Sequence, residues 1–421
     1  MTPPAPSGAA APSGIELLDR ARSIEGELVE LRRDLHRHPE LSYHEHRTAG
    51  IAAEAMSALG LRVRTGVART GVVADLENGD GPTVALRADM DALPIDEAND
   101  HGFSSTVPGV MHACGHDAHT AGLIGTARLL AGLRGEGTLP PGRIRFLFQP
   151  SEEGMDDEGK SGGRRLVEEG AMEGVDAVVG LHVGAHLPSG TVILDPGPFF
   201  AGSDEVRVTV RGRSSHAARP QDGVDAIVLA ALGVTAAQQV VARHLSPSAT
   251  GVLTFGTIHG GVAQNVIADR VELAGTLRYF RPEIRERIHR GLEGAFAAVE
   301  ALGGEVDLDL RPGYPPLVND PRITGLVRDV VAELAGSDAL TRIEPIMEAE
   351  DFAFLAREAP GAFFWLGAAL PEPRRHHHPR FDIDEAVLPL GTALLARSAV
   401  RILEALADTH DLTPAPGDSR P

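Results

Sequence analysis

Apolar residues recur at helical spacing through residues 15–60, where Leu28, Leu31 and Leu35 fall on one side with charges between them. Beyond the turn signals Asn78-Gly79 and Gly81-Pro82, TVALRADMDALP (83–94) holds a short apolar strand from Val84 to Leu86. The carboxylates of Asp89 and Asp91 fall just past its end. AHTAGLIGTARLLAGL (118–133) reads as a well-buried helix. RIRFLFQPSEEG (143–154) is a strand that ends at Pro150 with two glutamates directly after, and DAVVGLHVG (176–184) is a strand terminating near His182. Three apolar strands that each run into candidate ligands predict a largely parallel sheet with one crevice at its downstream edge.

From about residue 198 the pattern changes. DEVRVTVRGRSSHA (204–217) alternates with period two, as a half-solvated strand does. An apolar helix over 222–242, strands at 251–261 and 269–280, a helix over 283–302 and an edge-like strand at 305–316 follow. That order is the pattern of a small α+β sandwich with an antiparallel sheet. A helix at 320–336 and the segment PGAFFWLG (360–367) then resume the first grammar. The expected organisation is an α/β catalytic domain with a mostly parallel central sheet (15–197 and 313–408), interrupted by an inserted α+β lid (198–312).

Composition narrows the function. A chain of 421 residues fits two domains. With 43% hydrophobic but 4% aromatic residues, the cores are expected to be largely Ala, Val and Leu. The net charge of −20, from 59 acidic and 39 basic residues, sets nucleic acid and anionic membranes aside as partners. One cysteine cannot form an internal disulfide, and residues 1–14 read as a disordered tail, not a signal peptide. Residues 409–421 read as a second polar tail. No apolar run indicates a membrane span, and the expected compartment is the cytoplasm.

The densest chemistry lies in MHACGHDAHT (111–120). Cys114 and His116, two positions apart, suit zinc, cobalt, nickel or manganese, while a thiolate beside an imidazole also suits a nucleophile with its base. A buried free cysteine among solvent-facing histidines is the bland alternative. Glu152 and Glu153 stand alone as a solvated acidic turn, and His182 alone as a satisfied core histidine. Together with one member of the His376–His378 tract, however, Cys114, His116, Glu153 and His182 supply five ligands. Five ligands exceed one tetrahedral zinc and match a two-metal site. Bridging coordination would also spoil Cys114 as a nucleophile.

The segments DLHRHPELSYHEHRT (34–48), LRADMDALPI (86–95), MHACGHDAH (111–119), FQPSEEG (148–154), GLHV (180–183), GRSSHAARP (212–220), GGVAQNVIADRVELAGTLR (260–278), EDFAFL (350–355) and HHPRFDIDE (377–385) resemble, in order, the M20 family of metallo-amidohydrolases. The likeness spans residues 25–405, and is nearest to the branch hydrolysing N-acyl amino acids, hippurate and indoleacetyl-amino acids. The resemblance implies two divalent metals per subunit, with Cys114 bridging and His116, Glu153, His182 and His377 as further ligands. It implies Glu152 as general base and Asp91 as the aspartate that steadies the metals. His216 would reach an active site across a lid-mediated homodimer, and Asn265 and Arg278 would position substrate. Asp89 stands where the wider family has a metal-binding histidine and is not assigned as a ligand. The implied reaction is hydrolysis of an N-acyl amino acid to a carboxylic acid and a free amino acid. A metallo-dipeptidase or aminopeptidase, and a non-catalytic binding protein on the same fold, are the competing readings.

Overall fold

A computed structural model describes residues 12–410. Most of both expected tails, 1–14 and 409–421, lies outside the described residues. The chain forms two compact units, one from residues up to 197, 318–344 and 354 onward, the other from 198–317 and 345–353.

The larger unit is built on an eight-stranded sheet in the order Arg62–Val67, Gly71–Asn78, Gly142–Gln149, Thr83–Asp89, Ala177–Pro188, Gly361–Ala369, Val192–Ile193 and Leu340–Thr341. The four central strands run parallel, and the first two join as an antiparallel edge. Thr83–Asp89 is buried along its whole length, which is why it reads as an apolar run and not as an alternation. Phe146, Phe148, Phe364 and Phe381 are fully buried in this core among Leu, Val and Ala. The helices His116–Glu136 and Leu388–His410 pack on the central strands and on each other. The second contains an apolar stretch long enough to cross a membrane, but 78% of that stretch is buried inside this core. Its composition is that of a core helix.

Two strands run further than their sequence pattern predicts. Asp89 is the last residue of its strand and not a loop residue. His182 sits within Ala177–Pro188, because residues 361–369 pair alongside it in parallel, with Trp365 opposite His182.

The smaller unit is the expected α+β sandwich. Its antiparallel sheet has the order Gly251–Gly260, Arg270–Tyr279, Gly202–Arg211, Glu305–Pro312. Val206, Val208 and Val210 alternate inward and meet Ile288, Leu292 and Phe296 of the helix Pro282–Ala301. The helix Ala226–Gln239 packs beside it and ends in a π turn at Val240–His244. The first expected strand stops at Arg211, and Ser215–His216 instead pairs with Val266–Ile267 in a separate short ladder. Residues 345–353, expected in the returning part of the larger domain, belong to this unit. Backbone bonding draws them there: Ala201 N–H donates to the carbonyls of Ile346 and Glu348, and Ile346 N–H donates to Phe199.

Candidate active site

The site is built on the backbone of the larger unit. Gly115 precedes the helix His116–Glu136 with φ of 91°, and a Cβ there would lie 2.4 Å from Val183 Cγ2. Only glycine lets the Cys114 loop approach the His182 strand so closely. As a result Cys114 Sγ stands 3.4 Å from His182 Nε2. Both residues are buried.

The loop after Gly142–Gln149 solves the problem of two adjacent glutamates. Ser151 takes φ of 48°, and three successive amides are held by two carboxylates. Ser151 N–H donates to Glu45 at 2.8 Å, Glu152 N–H to Asp91 Oδ1 at 3.1 Å, and Glu153 N–H to Asp91 Oδ2 at 3.0 Å. Glu153 Oε1 then lies 2.9 Å from His377 Nε2. His377 itself has φ of 56°, with its N–H on the carbonyl of Ala113. Asp91 completes its contacts with the Ser42 hydroxyl, at 2.6 Å, and with His116 Nδ1, at 3.2 Å.

The ring orientations leave metal-facing nitrogens open. His116 Nδ1 faces two acceptors, the Asp91 carbonyl and carboxylate, so it carries a hydrogen and leaves Nε2 as the nitrogen a cation would take. His182 Nδ1 likewise donates to the Val183 carbonyl, at 2.8 Å. His116 Nε2 and Glu153 Oε1 are buried atoms without a hydrogen-bond partner; the short Glu153–His377 contact is an ion-pair distance outside hydrogen-bond geometry. Ligand atoms of Cys114, His116 and His182 lie within 4.8 Å of one another, as do those of Cys114, Glu153 and His377, and those of His116, Glu152 and Glu153. The structure therefore brings Asp91, Cys114, His116, Glu152, Glu153, His182 and His377 into one cluster.

The electrostatics of the cluster call for positive charge. Burial, and then the carboxylates of Glu153, Glu152 and Asp89, push the Cys114 thiol well above its ordinary range. A thiolate is therefore unfavourable there unless a cation accompanies it. Burial favours a neutral His116, yet Asp89, Asp91 and Glu153 outweigh it and hold that ring up at about 10. His182 is driven well below the usual range by burial and by the neighbouring His119, so it is a neutral ligand-type imidazole. A soft thiolate, imidazoles and carboxylates with orphaned buried lone pairs fit a pair of borderline divalent cations.

Asp89 is bound on other sides. Arg87 Nη1 donates to it at 2.6 Å, and His119 Nδ1 lies 2.5 Å away, while His119 Nε2 accepts from Val183 N–H at 2.9 Å. Asp89 and His119 thus brace the His182 strand, although Asp89 Oδ2 also comes within 3.6 Å of His116 Nε2. Sequence reasoning left Ser42, Glu45 and His119 without roles. Ser42 and Glu45 lie in LSYHE, inside a motif already singled out, but their distance along the chain from residues 91 and 151 hides the contact. His376, next to the ligand candidate His377, is a different case: its Nε2 donates to the Val183 carbonyl at 3.0 Å. Burial, with His186 nearby, lowers its pKa to about 3.

His216, Asn265 and Arg278 lie in the smaller unit. His216 is exposed and paired with Val266, and its Nδ1 accepts from Ala218 N–H at 3.0 Å. Asn265 is exposed, its carbonyl accepting from Ala217 N–H. Arg278 is half-buried in Arg270–Tyr279, where burial lowers its pKa against the opposing charge of Glu348.

Fold and cluster together define a metal-dependent hydrolase of amide bonds. Residues 85–401 match Peptidase family M20/M25/M40, and the chain belongs to that family. It is 39% identical to the N-acetyl-L-cysteine deacetylase of Bacillus subtilis, over 91% of this chain and 89% of that protein. It is 37% identical to the IAA-amino acid hydrolase ILR1-like 2 of Arabidopsis thaliana, over 92% of this chain and 88% of that one. Among solved structures it is similar to the Bacillus subtilis YXEP protein, a dinuclear metal binding peptidase of the M20 family, with a TM-score of 0.76 and 32% identity. That match covers 91% of this chain and 99% of the other.

Proposed function

We propose that this protein hydrolyses the amide bond of small N-acyl amino acids with two divalent cations, drawn from zinc, manganese, cobalt and nickel. The observation that carries the reading is the convergence of Cys114, His116, Glu153, His182 and His377 around buried, unsatisfied lone pairs beside Glu152. Cys114, His116, Glu153, His182 and His377 would hold the cations. Bound cations supply Lewis acidity, which polarises a carbonyl and acidifies water. Glu152 would take the proton of the attacking water and return it to the departing nitrogen. Asp91 would hold both glutamate amides and the His116 ring in place.

Arg278 has the fork of donors that suits a substrate α-carboxylate, Asn265 would position the acyl amide, and His216 would act on the site of a second subunit. The homodimer is supported by the surface of the smaller unit. The apolar helical stretch Ala226–His244 is only 33% buried, leaving Ile227, Val228 and Leu232 exposed. The helix packs against the sheet-edge strand Gly251–Gly260, where Val252 and Ile258 are exposed as well. An unpaired strand edge beside an apolar helix face suits a second copy of the same surface.

The test is an activity panel of N-acetyl, N-benzoyl and indoleacetyl amino acids with dipeptides, run with each of the four metals. The expected result is a higher kcat/KM on N-acyl amino acids than on dipeptides. Exclusive turnover of dipeptides would overturn the substrate assignment in favour of a peptidase.

A further inference from the structure

A second group of ligand-type side chains converges where residues 97–105 cross the helix Glu25–Arg37. Ligand atoms of His36, Glu97 and His101 lie within 4.8 Å of one another, and none of the three residues belongs to the active-site cluster. Glu97 Oε1 is 3.3 Å from His36 Nε2 and 3.4 Å from His101 Nε2. A charge-assisted N–H···O contact closes to about 2.7–2.9 Å. Donor atoms sharing a tetrahedral cation at 2.0–2.1 Å instead stand about 3.3 Å apart. The separations here leave room for a shared cation, and the His36 contact is a long hydrogen bond in its absence.

The far side of every donor is already fixed. His36 Nδ1 lies 2.8 Å from Asp117 Oδ2, which also accepts from Arg32 Nε at 2.9 Å. Asp117 accepts only, so His36 carries a hydrogen on Nδ1; burial opposes a second proton, yet Asp117 and Glu97 outweigh it and raise the His36 pKa, so without a cation Nε2 donates to the Glu97 carboxylate. A divalent cation would displace that Nε2 proton and take both lone pairs. His101 is oriented by Ser104 Oγ, 3.1 Å from Nδ1, and by stacking on Phe103 at 3.7 Å between centroids and 14° between planes. Its Nε2 is buried with no hydrogen-bond partner. Glu97 Oε2 accepts from Ser105 N–H at 2.6 Å, and Oε1 also accepts from the Asn99 amide at 3.0 Å. Such outer contacts are what orient histidine and carboxylate ligands in metal sites. Charge agrees: Asp117, Asp382 and Glu385 pair with Arg32 and Arg33, and Glu97 adds a further carboxylate that faces only the two histidines among the charged groups of the described residues.

We propose that His36, Glu97 and His101 form a separate site for one borderline divalent cation of the zinc class. Its role is to tie the loop that leads into the Cys114 segment to the helix Glu25–Arg37. Water can complete the coordination, because the His101 side chain is 20% exposed.

The test compares full-length protein with its His101→Gln and His101→Ala variants, each loaded with Zn²⁺, freed of excess and weighed by native mass spectrometry. Wild type should carry about one Zn²⁺ per chain more than either variant. The same difference should persist in a Glu153→Gln background, which weakens the active-site pair and so separates the two centres. Equal zinc in wild type and both variants would overturn the site and leave a histidine–carboxylate ion pair. His101 lies on a partly exposed loop, so its replacement leaves both hydrophobic cores intact.

Discussion

Glu152 and Glu153 are neighbours in the chain with different surroundings, and the difference is set by two other carboxylates. Asp91 and Glu45 hold three successive amides and keep Ser151 in the left-handed region, which turns consecutive side chains in different directions. Glu153 faces His377, and Glu152 is buried beside the ligand cluster. Replacing Glu152 with Gln should leave metal content nearly intact and lower kcat by about 10²–10⁴-fold, the range of general acid–base catalysis. Glu153→Gln should instead lose metal first. Metal analysis beside steady-state kinetics separates the two, and the reverse pattern would exchange their roles.

Glu45 carries its own pH signature. Burial, and then the charge of Asp91, raise its pKa from 4.5 to about 7, even though Thr70, Tyr43 and Ser151 donate to it. An acid whose folded pKa lies above its unfolded value binds the proton more tightly when folded. Its contribution to stability is therefore lost as pH rises from about 4.5 to about 7, and is constant beyond. Glu45→Gln mimics the protonated form and should remove that slope, worth on the order of 1–3 kcal/mol. Urea midpoints of both proteins at pH 5 and pH 8 check this; equal losses would refute it.

At the scale of elements, local pattern carried much of the architecture. The spacing of Cys114 and His116, the strand running into Glu152 and Glu153, and the period-two alternation of 204–211 are all short-range signals. They were legible because neighbouring residues determine them. What they miss is set by distant pairing. Ala177–Pro188 outruns its apolar core because 361–369 lies alongside it, and residues 345–353 join the smaller unit through backbone bonds to 199 and 201. Glu45 acquires its role only when the chain returns 106 residues later. The assignment of His377 over its neighbours likewise rested on motif likeness, since three adjacent histidines have the same composition. Geometry distinguishes them: His377 meets Glu153, while His376 is turned to the Val183 carbonyl.

At the scale of the whole molecule, the exposed apolar helix face and unpaired strand edge of the smaller unit predict a dimer in solution. Light scattering should give twice the chain mass of 44.3 kDa, and Leu232→Asp should shift it toward the monomer. If His216 serves the partner's site, mixing inactive His216→Ala and Glu152→Gln subunits should restore turnover once they exchange. Mixed dimers that form without regaining activity would remove the cross-subunit role and leave the metal cluster untouched.

The central claim is that the Cys114 cluster works only with divalent cations. The direct measurement is hydrolysis of an N-acyl amino acid by exhaustively chelated protein, with metal content determined on the same sample, before and after adding back Zn²⁺, Mn²⁺, Co²⁺ or Ni²⁺. The account predicts no turnover in the metal-free protein and recovery with at least one of these ions. Full activity at negligible metal content would contradict it.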